Sequence, residues 1–500
     1  MPATEEGAAS GDLKRLIIHT LPFGLASLAS VLEKGGVPVR MVNDGIEPLT
    51  PQRINELAAG EPGIPVFGLS SLTLQAQRCK ELHRMIKQTL PRVKVVVGGI
   101  HASACPEEFL EAGLDYAFCG EGESVIVELA QRLSLGQDVR DLPGVVWRDE
   151  QGRVHRNPRP DLMALGDLPP FPYHLFGDDL KQYDLGAVLA SRGCPFNCIF
   201  CSQRIITGQT YRTRPAEDVL DEVQRIVEDF GLDYVVFHDD NFGVNKKWIT
   251  TLCQGLIDRG LTGKARFMCQ MRADSTSDEL LDLLKRAGFD SLSFGIETGS
   301  ERMAKVIQKG ETVARNAEAV YMAKRHGFAC LATFIIGFPT EQAEDRLQTL
   351  ALAHRLPLDV KRINIAIPYP GTPLYEMVKD RIYIEPGWAN FNVVTPLITG
   401  PFGWKRLPYV PEGTDESELR FLMIYNNLRF WLSPKGLFSF FFKETTFDTR
   451  LPERWYMNPG FYADLARQGF KIVAGLAWCA LVGLPHHLAL NRARAKKTTA

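Results

Sequence analysis

The sequence predicts an α/β protein in three successive parts: an N-terminal Rossmann-like unit, a partial (β/α)6 barrel, and a mostly helical C-terminal region. Three observations predict it. Strand and helix signals alternate over residues 13–135, and they alternate again over 184–370 in six strand–helix repeats. Past residue 371 the alternation stops and the chain turns helical and aromatic-rich. Strands that alternate with helices imply parallel sheets covered by helices, because each parallel crossover must carry the chain back over the sheet.

In the first part, residues 13–19 are strand-like. Residues 25–34 have helical spacing and stop at Gly35-Gly36, a good helix end. Residues 38–42 read as a second strand and 65–70 as a third, followed by a helix over 75–89. The apolar run 93–97 is a fourth strand closed by Gly98-Gly99, 114–119 is a fifth, and 124–133 is a helix. Ligands of such sheets gather at the carboxyl ends of the strands. There the sequence places Ser70-Ser71, Gly98-Gly99-Ile100-His101 and Gly120-Glu121-Gly122-Glu123. The run 149–152 reads as a hairpin turn between two short strands, and Pro158, Pro160, Pro169, Pro170 and Pro172 mark an irregular linker. The expected divisions are 13–140, a linker over 141–183, the barrel over 184–375, and 376–500.

The barrel strands read at 186–191, 234–238, 266–271, 291–295, 330–336 and 362–368, with helices at 216–229, 247–258, 277–287, 313–326 and 343–354. By analogy with closed barrels, chemistry belongs at the carboxyl ends of these strands. In the last part, 472–485 carries no charge but is too short for a membrane span. It reads as a packed core helix with a solvated basic tail. The alternative is an interfacial helix whose tail (Arg492, Arg494, Lys496, Lys497) contacts anionic head groups, a peripheral membrane contact.

Five hundred residues suggest two to four domains. The net charge of −2 supplies no field to attract nucleic acid. Of ten cysteines, seven are scattered (Cys79, Cys105, Cys119, Cys253, Cys269, Cys330, Cys479), with no paired framework. That fits a reducing compartment. Residues 1–12 are polar and read as no signal peptide, so the expected location is cytoplasmic.

The remaining three cysteines form the most informative run, Ser-Arg-Gly-Cys194-Pro-Phe-Asn-Cys198-Ile-Phe-Cys201, just after the first barrel strand. Three thiolates on one tight loop can hold three irons of a 4Fe-4S cluster. The fourth iron stays open to a substrate or cofactor. A zinc loop is the plain alternative, but structural zinc sites usually pair two-residue spacings and close four ligands.

The spacing, with Phe200 before the last cysteine, resembles the radical S-adenosylmethionine (radical SAM) superfamily. The resemblance implies that the open iron chelates S-adenosylmethionine and that one electron, from a donor such as flavodoxin or ferredoxin, yields a 5′-deoxyadenosyl radical that abstracts an unactivated hydrogen. The cofactors supply the hard chemistry, and the protein supplies orientation and exclusion of water. His238-Asp239-Asp240-Asn241 closes the second barrel strand and resembles the stretch that binds the methionyl amino group, which assigns that part to Asp239 or Asp240; a helix cap is the plain alternative. Gln270 and Arg272, ending the third strand, would point into the barrel toward the cofactor carboxylate or the substrate. Glu297, in Gly-Ile-Glu-Thr-Gly-Ser, is placed to accept ribose hydroxyls, as acidic residues do in dinucleotide folds. Gly337, opening Gly-Phe-Pro-Thr-Glu341, would present backbone to adenine. Tyr211-Arg212-Thr213-Arg214 and Tyr369-Pro370-Gly371-Thr372-Pro373 are further matches, and the two arginines either bind acidic substrate groups or cap the barrel rim.

The N-terminal part looks like the cobalamin-binding domain of class B radical SAM enzymes. The matching stretches are Pro22-Phe23-Gly24-Leu25, Ser70-Ser71, 97–101 with Gly98, Gly99 and His101, and Gly120-Glu121-Gly122-Glu123. Glycines there let backbone approach a corrin closely. Two departures stand out. The Asp-x-His-x-x-Gly motif that supplies a cobalt ligand elsewhere is absent, which implies binding without a protein histidine. The loop 19–21 is also short, which would trim the corrin pocket.

The resemblance implies a methyltransferase using the cluster, S-adenosylmethionine and cobalamin to methylate an unactivated carbon of a small molecule. The aromatic C-terminal region tilts that molecule toward an apolar one, such as a lipid, isoprenoid or tetrapyrrole. Alternatives keep the cofactors but form rings, rearrange or oxidise, as the anaerobic tetrapyrrole cyclases do, or leave the cobalamin domain vestigial. Methylthiotransferases carry three more cluster cysteines before the barrel; here Cys79, Cys105 and Cys119 are widely spaced and end no matching loop.

Overall fold

The computed structural model describes residues 19–60, 63–392, 405–431 and 433, with isolated positions 477 and 481. Two sheets organise it. The first runs β1 (Val66–Ser70), β2 (Lys94–Gly98), β3 (Tyr116–Phe118), β4 (Val145–Arg148) and β5 (Val154–Arg156), in that spatial order. β1, β2 and β3 are parallel, with Val66 opposite Lys94 and Val96 opposite Tyr116. β4 and β5 are antiparallel and extend the same sheet. The 149–152 hairpin is therefore an arm of the first sheet. Its turn is held by Asp149, which accepts from the N–H groups of Gln151 at 3.0 Å and Arg153 at 2.8 Å. In β2 the run Val95, Val96, Val97 is buried on both faces, as a strand sandwiched between helices must be. The helix Ala76–Thr89 lays Cys79, Leu82 and Ile86 against it.

Two expected strands have no strand assignment among the described residues. Residues 13–18 lie outside the described residues, and His19 makes only an isolated bridge to Tyr183. Residues 38–42 form no strand. Residues 37–43 line a cavity.

The second sheet is the open barrel. β6 (Ala187–Val188), β9 (Tyr234–Phe237), β10 (Arg266–Met271), β11 (Phe289–Glu297), β12 (Ala329–Ile336) and β13 (Val360–Ile365) neighbour one another in sequence order, every pair parallel. A short antiparallel ribbon, β7 (Ser191–Arg192) with β8 (Arg212–Thr213), flanks the cysteine run. Helices begin where the sequence supplies caps: Ser277, Ser300 and Thr312 each accept the N–H three residues on. The core is a phenylalanine stack. The Phe237 ring centroid lies 5.1 Å from that of Phe242 and 5.5 Å from that of Phe289, itself 5.4 Å from Phe267. Each such buried ring contributes roughly 1.5–3 kcal/mol.

An open barrel leaves β13 with an unpaired edge. The helix Glu416–Trp431 covers it. Asn427 supplies the missing ladder partner: its Oδ1 accepts from Ile363 N–H at 2.9 Å, and its Nδ2 donates to Ile363 O at 2.8 Å. Among the described residues no helix is long and apolar enough to cross a membrane. The expected interfacial stretch 472–485 lies, save 477 and 481, outside the described residues.

Candidate active site

The cysteine loop is shaped by its neighbours. Gly193 has φ +88°, and a Cβ there would stand 1.9 Å from the Thr210 carbonyl oxygen, so only glycine can turn the chain from β7 into Cys194. Ile199, 1% exposed, anchors the loop floor by donating its N–H to Ile307 O at 3.1 Å and accepting from Leu374 N–H at 2.9 Å. Cys201 N–H closes a turn onto Cys198 O at 3.2 Å. The Arg272 guanidinium sits 3.6 Å over the Phe196 ring, clamping the loop from above. The Phe200 ring centroid lies 5.7 Å from that of Phe338.

Cys194, Cys198 and Cys201 are free, partly exposed thiols. Burial, then the neighbouring Cys198, Asp240 and Cys194, push the Cys201 thiol up to about 11, against a hydrogen bond from Gln203 N–H. Burial also raises Cys198, against the positive charges of Lys309 and Arg272. Three thiols that feel one another, with cations beside them, suit a shared inorganic group that takes thiolates. Among the described residues no three His, Cys, Asp or Glu side chains surround one point as a single-ion site would require. Separate irons of a cube need no such convergence, so the donor set fits a cluster.

The strand-end residues divide into two groups. Asp239, 2% exposed, accepts from the Ser191 hydroxyl and from Ala190 N–H at 3.4 Å, and Asp240 accepts from Gly193 N–H at 3.2 Å. Both carboxylates thus hold the approach to the cysteine loop. Burial raises Asp239 to about 7, against those hydrogen bonds. Asp240 also opens onto the cavity described below. Asn241 is 1% exposed and neither amide atom has a hydrogen-bond partner.

On the other side lies a buried charge network. Arg272 pairs with Asp274 at 2.7 Å and stands 3.7 Å from Glu311, which is 3.3 Å from Lys309, itself 3.8 Å from Glu297. Lys309 also donates to Gly295 O. Glu297 has φ +65° beside a register shift in β11, an uncommon conformation for a residue with a Cβ and one concentrated at functional sites. Burial raises its carboxyl, against the Lys309 charge. Gln270 is exposed, and Gly337 has φ +89°.

A cavity of about 1160 Å³ joins the two sheets. This exceeds the ~300–1,000 Å³ of ordinary small-molecule sites. Its first wall holds Ser70, Gly98, Gly99 and the 120–123 turn; its second holds Ser191, Arg192, Gln203 and Asp240 beside the cysteine loop. Gly68 also lines it, and a Cβ there would meet nothing within 4 Å, so the wall is recessed. A wide, largely apolar recess with glycine turns on one wall fits a corrin. Among the described residues no histidine lines it.

Three expected residues sit differently. Ser71 is fully buried, with its hydroxyl donated to Leu72 O at 3.0 Å. His101 turns from the cavity: its Nε2 is 3.1 Å from Glu108 Oε2, and its ring lies 5.0 Å from Trp388. Glu108 gathers this corner, accepting also from Lys80 at 2.7 Å and Trp388 Nε1 at 2.9 Å. Glu121 lines the cavity but its carboxylate is held by Arg212, at 2.5 Å, and Arg192, at 3.4 Å. Sequence reasoning did not single out Arg192, Lys309 or Glu311. The signal for Arg192 was present: an arginine beside the cysteine run and two glutamates in the opposing ligand-end turn.

Residues 188–353 match the radical SAM superfamily and residues 18–130 the B12 binding domain. An uncharacterized methyltransferase of Pyrococcus horikoshii is 30% identical over 407 residues, 80% of this chain and 86% of that one. The anaerobic magnesium-protoporphyrin IX monomethyl ester cyclase of Cereibacter sphaeroides is 26% identical over 77% of this chain and 62% of its own length. Among solved structures, the radical S-adenosylmethionine methyltransferase TsrM of Kitasatospora setae superposes with a TM-score of 0.61 at 21% identity, covering 72% of this chain and 73% of that one. This last likeness is one of fold.

Proposed function

Because the chain belongs to the cobalamin-dependent radical SAM family and is an enzyme of its methyltransferase kind, we propose that it methylates a carbon of a small, largely apolar molecule held between the cysteine loop and the first sheet. One observation carries the reading. The same cavity is bounded by the ligand-end turns of the first sheet and by residues flanking the cysteine loop. A molecule between the two walls would face both, which turns encounters between separate reactants into a positioned one. When bound, the cluster with S-adenosylmethionine supplies a hydrogen-abstracting radical and cobalamin the transferable methyl group.

In this reading Cys194, Cys198 and Cys201 each hold one iron. Glu297 accepts ribose hydroxyls, the Gly337 turn meets adenine, and Gln270 and Asp240 offer polar groups to the methionyl end. Gly98, Gly99 and the 120–123 turn form the corrin wall. Arg192 and Arg212, paired to Glu121 and Glu123, keep the walls in register. The electron comes from a small donor of the flavodoxin or ferredoxin kind, and an oxygen-sensitive cluster suits a reducing compartment.

The test uses anaerobically purified, reconstituted protein supplied with hydroxocobalamin. About four irons with stoichiometric cobalt and reductive release of 5′-deoxyadenosine are expected. Iron and 5′-deoxyadenosine without cobalt would overturn the corrin site. Similarity to the anaerobic cyclase over most of this chain favours ring formation as the second reading. Product mass separates them, because methylation adds one CH2 unit and ring closure does not.

A further inference from the structure

The core of the first sheet is completed by a segment that follows the barrel. Trp388 and Phe391 are buried in the same apolar cluster as Ile86, Phe109 and Leu114. The approach is close: a Cβ on Gly387 would stand 2.7 Å from Gln77 Cβ, on the helix Ala76–Thr89. Gly387 has φ +69° and Trp388 φ +63°. Left-handed backbone suits the glycine, but for a bulky residue it is an outlier that persists only where the surroundings over-determine it. Asn390 closes the loop around it, accepting from Glu385 N–H at 3.0 Å and donating to Tyr383 O at 2.8 Å. The Phe391 ring centroid lies 4.8 Å from the indole. At the indole tip, Nε1 donates to Glu108 Oε2 at 2.9 Å.

That carboxylate is a hub. Lys80 holds its other oxygen at 2.7 Å, and His101 Nε2 stands 3.1 Å from the oxygen that Trp388 uses, with its ring edge-on to the indole. His101 directly follows Gly98, Gly99 and Ile100, which line the cavity, whereas neither Glu108 nor Trp388 does. The same turn is fastened on its other side to Ser71, whose N–H donates to Gly98 O at 2.9 Å and whose carbonyl accepts from His101 N–H at 3.0 Å. We propose that Trp388 is a positioning residue for the corrin: through Glu108 and His101 it sets the Gly98–Ile100 wall, so the cobalamin seat is complete only when the chain beyond the barrel is docked on the first sheet. The inference rests on the reading of this turn as the corrin wall. It accounts for the strained backbone, which is held at a place where no cavity-lining side chain needs it. It also gives His101 a task that faces away from the ligand.

The test is equilibrium dialysis of hydroxocobalamin against the reconstituted, iron-loaded protein, comparing wild type with Trp388→Ala, Trp388→Phe and Ile86→Ala. Trp388→Ala is expected to weaken cobalamin binding by about tenfold, within the usual range of coupling between separate sites. Trp388→Phe keeps a ring and loses the N–H, and is expected to fall between that variant and wild type. Iron content and reductive cleavage of S-adenosylmethionine are expected to stay at the wild-type level in both. Ile86→Ala opens the same core but leaves every hydrogen bond to Glu108 in place, and should bind cobalamin as wild type does. Cobalamin bound as tightly by Trp388→Ala as by wild type overturns the proposal, and so does equal weakening in Ile86→Ala. If Trp388→Ala does not fold, Trp388→Phe decides, and wild-type affinity in that variant overturns the proposal. Wild-type protein that holds iron but no cobalamin would instead defeat the corrin reading itself, so the two failures are distinct.

Discussion

Arg192 Nη1 stands 2.7 Å from Glu123 Oε1, joining the turn into the cysteine loop to a ligand-end turn of the first sheet. Ser27 donates to the same oxygen at 2.8 Å, and both charged side chains are largely shielded, at 14% and 4% exposure. Removing one partner of a buried pair costs about 3–5 kcal/mol when the other charge is left uncompensated; here Glu121, 3.4 Å from Arg192, still offsets part of that charge. Glu123→Ala is expected to lower stability in denaturant titration by less than that, about 1–3 kcal/mol. Burial pushes the Glu123 carboxyl up, but the Arg192 charge and hydrogen bonds from Arg192 and Ser27 outweigh it, so its pKa lies below the ordinary 4.5. A depressed carboxyl adds stability above its unfolded pKa and loses it as pH falls through the folded one. Glu123→Gln should therefore flatten the acid limb below about pH 4.5.

Gly193 and Cys198 test the cysteine loop separately from the corrin wall. With φ +88° and a Cβ position 1.9 Å from Thr210 O, Gly193→Ala must displace the loop. Cys198→Ala removes one thiolate. Both variants are expected to lose iron and reductive cleavage of S-adenosylmethionine, while cobalamin absorbance per chain stays at the wild-type level. Cleavage by Cys198→Ala would remove that residue from the site.

Gly99 gives the mirror-image experiment. It has φ +94°, and a Cβ there would lie 2.9 Å from both Ser71 N and Ser71 O. Gly99→Val is expected to lower bound cobalt several-fold with iron unchanged, measured by metal analysis after gel filtration. Equal cobalt in variant and wild type would move the corrin away from this turn.

Glu341 predicts a pH dependence of stability. Burial pushes its carboxyl from 4.5 up to about 8, against the Gly337 N–H and Arg346. A raised pKa contributes stability that is fully present below the unfolded value and lost as pH rises through the folded one. Wild-type stability should thus decline between about pH 4.5 and 8, by at most roughly 5 kcal/mol from this group. Glu341→Gln, which mimics the protonated acid, should match wild type at low pH and lack the decline in urea titrations across that range.

The barrel was legible because its information is local. Runs such as Tyr234–Phe237 and Arg266–Met271 are apolar enough to be buried strands, and Ser277 and Thr312 mark helix starts where the structure has them. Glu121 and His101 show the limit of local information at the site. Both follow sheet strands, as ligand-binding residues do, yet one is engaged by Arg212 and the other by Glu108.

The sequence by itself determined the family, the two α/β sheets and the position of the cysteine loop after the first barrel strand, because these rest on periodicity and on motifs within a few residues. Tertiary structure alone decided which charges are free to meet a ligand. Arg192 meets Glu123 across 69 residues, Arg212 meets Glu121 across 91, and Trp388 reaches Glu108 across 280. Such pairings arise where folded surfaces dock, and the cost of burying an unpaired charge selects the partner in space, with no regard to distance along the chain.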